Sequence, residues 1–116
     1  IEIKVHDGWY DFEHKFQPGH TDFVTPPDDL DESIHQEMKD VAQATMRALD
    51  LQNYARIDFF VTPDDKVYVI EANNLPGMTP LSLLPQEAEA AGIKYSELVD
   101  SIVRGKMDLY DQGLAI

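Results

Sequence analysis

The stretch YARIDFFVTPDDKVYVIEANNLPGMTPLSLLP, residues 54–85, contains the clearest structural pattern in this 116-residue chain. Two runs rich in β-branched and aromatic residues, ARIDFFVT and KVYVIEAN, are joined through PDDK, which is typical of a tight turn. This pattern predicts a β-hairpin of two antiparallel strands. The segment NNLPGMTP that follows contains two prolines and one glycine, so it predicts a loop after the second strand.

On the N-terminal side of the hairpin, the sequence predicts a strand, a loop and a helix. Residues 1–7 alternate apolar and polar side chains, which is typical of a half-buried strand, and residues 9–25 mix aromatic, charged and turn-forming residues. Apolar residues spaced at the 3.6-residue period between positions 34 and 49 predict a helix of about 17 residues. Asp31 or Ser33 is its expected cap.

On the C-terminal side, two further helices are predicted. The first runs from about Ser82 to Ala91 and ends at Gly92, and the second runs from about Tyr95 to Met107. The last residues, DLYDQGLAI, are predicted to be a tail. Together the elements predict an α+β fold in which an antiparallel β-sheet is flanked by helices.

Composition limits the function classes. A chain of 116 residues, 43% of them hydrophobic, predicts one domain with one modest core. The net charge of -13 disfavours nucleic acid and membrane partners, although a bound cation would still admit an anionic small ligand. The absence of cysteine excludes disulfides and thiolate zinc sites, and a cytoplasmic location is the simplest expectation. The chain begins with Ile1 in a strand-like pattern, which suggests a cut through a larger protein.

Three oxygen-bearing side chains of the hairpin form a candidate metal site. Glu71 and Asn73 share one face of the second strand, and antiparallel pairing can bring Asp58 beside them. Two carboxylates and an amide oxygen suit Mg²⁺ or Mn²⁺. The alternative is that these are the solvent-facing positions of an amphipathic hairpin. Arg56 projects from the same face, either to bind a substrate carboxylate or oxyanion, or to form a structural salt bridge with Glu71.

The loop after the hairpin continues this candidate site. Its Gly77 permits close approach of a ligand to the backbone. Ser82 begins the next helix, where free backbone N–H groups attract anions.

These motifs resemble a known family. YARIDFF followed by VIEANNLPGMTPLSLLP is similar to the C-terminal signature of the D-alanine-D-alanine ligase family, which belongs to the ATP-grasp superfamily. WYDFEHKF resembles the family's mobile loop over the nucleotide phosphates, and AAGIKYSELVDSIV resembles its last helix. The resemblance covers most of residues 9–103. Other ATP-grasp enzymes, such as biotin carboxylase, follow their metal-binding Glu and Asn with a different sequence that contains arginine.

The resemblance implies a role for each matching residue. Asp58, Glu71 and Asn73 would bind two Mg²⁺ (or Mn²⁺) ions that bridge the ATP phosphates, and Arg56 would stabilise the oxyanion of a tetrahedral intermediate. Gly77, Ser82 and the backbone near Leu83 would hold the carboxylate of the second substrate. Three residues would contact ATP: Lys15 at the transferred phosphate, and Trp9 and Ile70 at the adenine. For Lys15 the alternative is a solvated surface lysine, and for Trp9 and Ile70 it is core packing.

The reaction implied by this resemblance is the ATP-dependent ligation of D-alanine for peptidoglycan synthesis. ATP would phosphorylate the carboxylate of one D-alanine, and the second substrate would attack the acyl phosphate. Phe16 stands where most family members have Tyr, and it resembles a variant of some lactic acid bacteria that joins D-alanine to D-lactate. A neutral replacement of Tyr by Phe is the alternative.

The resemblance also implies a larger enzyme. Residues 1–116 would be a partial C-terminal ATP-grasp domain, with the mobile loop at about residues 8–25 and the metal and acceptor site at residues 54–84. N-terminal and central domains would be missing, the chain alone would be inactive, and the intact enzyme would be a homodimer. Two rival interpretations are another ATP-grasp carboxylate-amine ligase and a non-catalytic nucleotide-binding module.

Overall fold

Four strands and three helices make up the described part of the chain, residues 1–8 and 21–114 of a computed structural model. In chain order they are β1 (Glu2–Val5), β2 (Thr21–Val24), α1 (Glu32–Ala48), β3 (Arg56–Val61), β4 (Val67–Asn73), α2 (Leu83–Ala90) and α3 (Tyr95–Asp111). The strands form two separate two-stranded antiparallel sheets, β1–β2 and β3–β4. The expected α+β fold is confirmed, with its antiparallel strands divided between two hairpins.

The β3–β4 hairpin forms as its two β-branched and aromatic runs and their turn predict. The backbone N–H of Thr62 donates to the carbonyl of Lys66 at 3.0 Å, and Asp65 takes up the left-handed conformation (φ 61°) that closes the turn. The register shifts between Asp58 and Phe59, so Ile70 has no Cα partner on β3 and forms a β-bulge. The bulge changes which β4 side chains share a face with those of β3.

Helix α1 packs against both strands of this hairpin. One face of the hairpin carries Phe60 and Tyr68, which are exposed, and the other carries Ile57 and Phe59. The face with Ile57 and Phe59 is therefore the one directed towards α1. The predicted helix is confirmed in length and position, and Asp31 occupies the N-cap position although its side chain makes no capping hydrogen bond. Ser33, the other expected cap, lies inside the helix, one residue after its start.

Two expectations for the secondary structure are wrong. Residues 9–25 were expected to form a loop, but Thr21–Val24 form β2, because they pair with β1 in a register that begins at Glu2 and Val24. Residues 108–116 were expected to form a tail, but α3 continues to Asp111. Leu109 extends the half-buried stripe of Leu98 and Ile102, so the helical period outlasts the predicted end.

The described residues bury little apolar surface. Among them, the hydrophobic side chains that are buried belong to Ile34 of α1 and Ala88 of α2. Large apolar side chains are exposed instead on the hairpin, on the loop after it and on α3, among them Phe60, Leu75, Leu81, Met107 and Tyr110. In residues 1–8 and 21–114, no helix has both the length and the apolar character needed to cross a membrane.

Candidate functional site

The outward face of the hairpin, opposite α1, carries four polar side chains at one end. Arg56 pairs across the strands with Asn73, and Asp58 pairs with Glu71. Alternation along each strand places all four side chains on this face. We call this set, Arg56, Asp58, Glu71 and Asn73, the polar end, and the expected pairing of Asp58 beside Glu71 is confirmed.

Arg56 holds the two carboxylates of the polar end together. Its Nε and Nη2 donate to the two carboxylate oxygens of Asp58 at 2.7 and 3.0 Å, and Nη2 also donates to Oε1 of Glu71 at 3.3 Å. The hydrogen bond to Asp58 is the main cause that raises the pKa of Arg56, and the charge of Glu71 adds to it. The side chain of Arg56 is only 20% exposed. The bidentate pair with Asp58 fixes the direction of its guanidinium.

The polar end fits the donor set of a hard divalent cation. The carboxylates of Asp58 and Glu71 converge on one nitrogen atom, which shows that both can reach a single point above the face. Asn73 supplies the amide oxygen, and the same oxygen accepts a hydrogen bond from the backbone N–H of Leu75 at 3.0 Å. Oxygen donors of this kind suit Mg²⁺ or Mn²⁺. The salt bridge between Arg56 and Glu71, expected as the alternative, is also present.

A second acidic cluster lies away from this face. Carboxylate oxygens of Glu2, Asp28 and Asp29 lie within 4.8 Å of one another. Lys4 is already paired with all three, because its Nζ is 3.4 Å from Glu2, 3.0 Å from Asp28 and 2.9 Å from Asp29. The hydrogen bonds to Asp29 and Asp28 raise the pKa of Lys4, and the second of them lowers the pKa of Asp28. The cluster is therefore an ion-pair network that ties β1 to the segment before α1.

The loop after β4 folds back so that Gly77 lies against Ser82. A Cβ atom at position 77 would lie 2.8 Å from the Ser82 hydroxyl oxygen, closer than ordinary van der Waals contact. Ser82 is the N-cap residue of α2, yet its hydroxyl makes no bond to that helix. It accepts from the backbone N–H of Thr79 at 3.1 Å and lies 2.8 Å from the Thr79 hydroxyl. Gly77, Ser82 and the start of α2 at Leu83 are thus brought together, as the sequence predicts.

The far end of the same hairpin face is apolar. Phe60 and Tyr68 pair across the strands and are 66% and 54% exposed, and Ile70 at the bulge is 52% exposed. We call these three residues the apolar end. Within the described residues Ile70 does not pack in a core, so its two interpretations, adenine contact and core packing, both stay predictions. Three other expected site residues, Trp9, Lys15 and Phe16, lie outside the described residues.

One contact of the loop was not foreseen from the sequence. The Tyr95 hydroxyl, at the start of α3, donates to the carbonyl of Met78 at 2.7 Å. Local patterns give no sign of this contact, because it joins residues 17 positions apart. It becomes visible only when the turn between α2 and α3 is known.

Comparison with known proteins identifies the class and then the family. The fold is that of the C-terminal part of ATP-grasp ligases, to which similar solved structures belong. A family described as "D-ala D-ala ligase C-terminus" matches residues 1–104, and this chain belongs to it. A curated relative from Lacticaseibacillus casei (strain BL23), named D-alanine-D-alanine ligase, is 68% identical over 114 residues. That match covers 98% of this chain and 32% of the relative, so the chain spans about a third of the relative's length.

Two crystal structures of D-alanine-D-alanine ligase from Bacillus anthracis extend the comparison. One matches 96% of this chain and 36% of its own chain, with a TM-score of 0.77 and 32% identity. The other is a complex with ATP, and it matches 73% of this chain and 30% of its own, with a TM-score of 0.68 and 38% identity. The family resemblance read from the sequence is therefore confirmed.

Proposed function

We propose that this chain is the catalytic C-terminal portion of an ATP-dependent D-alanine-D-alanine ligase. The parent ligase, as we call the longer protein, would join D-alanine to a second substrate through an acyl phosphate, for peptidoglycan precursor synthesis. The observation that carries this proposal is the geometry of the polar end, where Asp58 and Glu71 converge on the guanidinium of Arg56. The loop that holds Gly77 against Ser82 begins directly after Asn73.

In this proposal, the polar end binds the metal ions and stabilises the negative charge that develops on the oxyanion during the reaction. Asp58, Glu71 and Asn73 would hold two Mg²⁺ or Mn²⁺ ions, and Glu71 would serve as a ligand for both. The ions neutralise phosphate charge when bound. Arg56, held in direction by Asp58, presents its guanidinium to the oxyanion that forms when the acceptor attacks. A donor fixed before the reaction spends no energy on reorientation, so it favours the transition state over the ground state.

The acceptor and the nucleotide use the residues around the polar end. The carboxylate of the second substrate binds to Ser82 and the backbone near Leu83, with Gly77 lining the same pocket. The close approach of Gly77 to Ser82 leaves no room for a side chain there, which supports this assignment. For ATP, which is bound in one Bacillus anthracis structure, Ile70 lines the adenine pocket together with Trp9, and Lys15 binds the transferred phosphate.

The chain is one part of the proposed enzyme. Residues 1–116 form a partial C-terminal ATP-grasp domain, with the metal and acceptor site at residues 54–84. The exposed apolar end and the 32% coverage of the curated relative support N-terminal and central domains that complete the site. We infer that the parent ligase is a cytoplasmic homodimer and that the chain alone turns over no substrate.

The proposal is tested by phosphate release from ATP. The parent ligase is assayed with D-alanine, and the product is identified by mass. D-alanine-dependent release with a dipeptide product is the expected result, and the 116-residue chain alone should release none above background. Release that does not depend on D-alanine would overturn the D-alanine assignment and favour another ATP-grasp carboxylate-amine ligase. Magnesium-dependent ATP binding without any release would favour a non-catalytic nucleotide-binding module.

Phe16 supports a second candidate, a ligase that joins D-alanine to D-lactate. Phe16 lacks the phenol that most family members have at this position, so it cannot make the hydrogen bond that a Tyr could make. A hydroxyl acceptor then competes better with an amine that is mostly protonated at neutral pH. With both acceptors present near neutral pH, a depsipeptide product would support this candidate. Dipeptide alone would discard it and keep the family assignment.

A further inference from the structure

We propose that Tyr95 is a positioning residue for the acceptor: its hydroxyl fixes the loop that holds the second substrate. This inference rests on the proposed function, and it concerns a residue of α3 that lies outside the motif of residues 54–85. The contact is a single hydrogen bond of 2.7 Å from the Tyr95 hydroxyl to the Met78 carbonyl. Met78 follows Gly77 directly, so the bond acts one residue from the proposed acceptor pocket.

The other hydrogen bonds of this loop are local. Asn73 accepts from Leu75, Ser82 accepts from Thr79, and the Gln86 side chain donates to the carbonyl of Leu81 at 2.7 Å. Each of these joins residues no more than five positions apart. They fix the two ends of the loop to β4 and to α2. In the described residues, the bond from Tyr95 fixes the middle of the loop to a third element, α3.

The chain places Tyr95 firmly. After α2, Gly92 takes the left-handed conformation (φ 81°), and the N–H of Ile93 donates to the carbonyl of Ala88 at 2.8 Å. The side chain of Glu97 then accepts from the N–H of Lys94 at 3.0 Å, which stabilises the start of α3. The chain runs from Met78 through Ser82, α2 and the turn at Gly92 to Tyr95, and the Tyr95–Met78 hydrogen bond joins the two ends of this segment into a closed ring.

A closed ring of this kind transmits a specific effect. Ser82 is at one end of α2 and Tyr95 follows the other end, so α2 holds the two at a fixed separation. When the bond is lost, Gly77 and Met78 lose their link to α3 and are positioned through the neighbouring contacts of Thr79 with Ser82, whereas the metal ligands on the hairpin keep their own contacts. The acceptor site should weaken more than the ATP site.

The test uses the parent ligase with Tyr95→Phe, and with Tyr110→Phe as the matched control on the same helix. Tyr110 is 66% exposed and its ring lies near Lys106, so the control removes a hydroxyl from the opposite end of α3. The expected result for Tyr95→Phe is a roughly three- to ten-fold rise in the KM for the acceptor, the size expected for one neutral hydrogen bond. The KM for ATP should change by less than about two-fold, and Tyr110→Phe should match wild type.

An unchanged acceptor KM in Tyr95→Phe would overturn the inference while the wild-type parent still ligates D-alanine. Equal rises in the two KM values, together with a lower Tm, would also overturn it, because they indicate a merely structural role. If the wild-type parent shows no D-alanine-dependent activity, the proposed function fails first, and this inference fails with it.

Discussion

The two ends of the outward hairpin face differ in whether their side chains have partners within the chain. At the polar end, the carboxylates of Asp58 and Glu71 and the amide of Asn73 all have partners within the chain. At the apolar end, Phe60, Tyr68 and Ile70 are more than half exposed. The chain therefore assembles its charged groups by itself but leaves the neighbouring apolar surface uncovered. This is the arrangement expected when a nucleotide and other domains complete a site. It supports the proposal that the chain is the catalytic part of a larger ligase.

The largest effect should follow from removing the guanidinium of the polar end. In the parent ligase, Arg56→Ala is expected to lower kcat by roughly 10²–10³-fold, the loss typical of one oxyanion donor. Arg104→Ala is the matched control, because Arg104 forms a comparable 2.6 Å pair with Asp100 on exposed α3. If Arg56→Ala kept more than half of the wild-type kcat, Arg56 would be only a structural partner of Asp58.

Removing the charge of Glu71 should have the next largest effect. Glu71→Gln keeps the size of the side chain and removes one negative charge, so both proposed metal ions lose affinity. The Mg²⁺ concentration for half-maximal activity should rise at least ten-fold, since loss of a group behind a metal ligand already costs roughly 10–100-fold. Glu37→Gln, on the exposed side of α1, is the control. An unchanged Mg²⁺ requirement in Glu71→Gln would argue for the solvent-facing interpretation.

At the apolar end, shortening Ile70 should affect the nucleotide alone. Ile70→Ala in the parent ligase is expected to raise the KM for ATP by roughly five- to ten-fold, because part of an apolar contact with the adenine is lost. The KM for D-alanine should stay within about two-fold. Val69→Ala is the control, since Val69 pairs with Phe59 on the other face. Equal effects of the two substitutions would show that Ile70 has no separate role.

The smallest effect concerns the turn beyond the apolar end. The hydrogen bond from Lys66 lowers the pKa of Asp64, and the bond from Thr62 lowers it further. A lowered folded-state pKa stabilises the turn above the ordinary carboxyl pKa, and this contribution is lost as the pH falls through the lowered value. Lys66→Met should raise the pKa of Asp64 in an NMR titration of the side-chain carboxyls. No rise would mean that the 2.7 Å pair does not persist in solution.

The sequence predicted what depends on local pattern. The β3–β4 hairpin, α1 and the starts of α2 and α3 follow from periodicity and turn residues, and so does the shared face of Glu71 and Asn73. The strand β2 was missed because a four-residue strand among turn-forming residues is defined only by its partner β1. The bulge at Ile70 and the bond from Tyr95 to Met78 were missed for the same reason. Neither leaves a trace in local composition.

The most direct test of the central claim, that the polar end binds the catalytic metal ions, is a count of Mn²⁺ bound to the parent ligase with ATP. Mn²⁺ reports by electron paramagnetic resonance, so bound ions can be counted without turnover. Two bound ions are predicted for wild type and for Asp64→Asn, which changes an exposed carboxylate of the same hairpin. Asp58→Asn should lose or strongly weaken at least one of them. Two ions bound to Asp58→Asn with wild-type affinity would contradict the account.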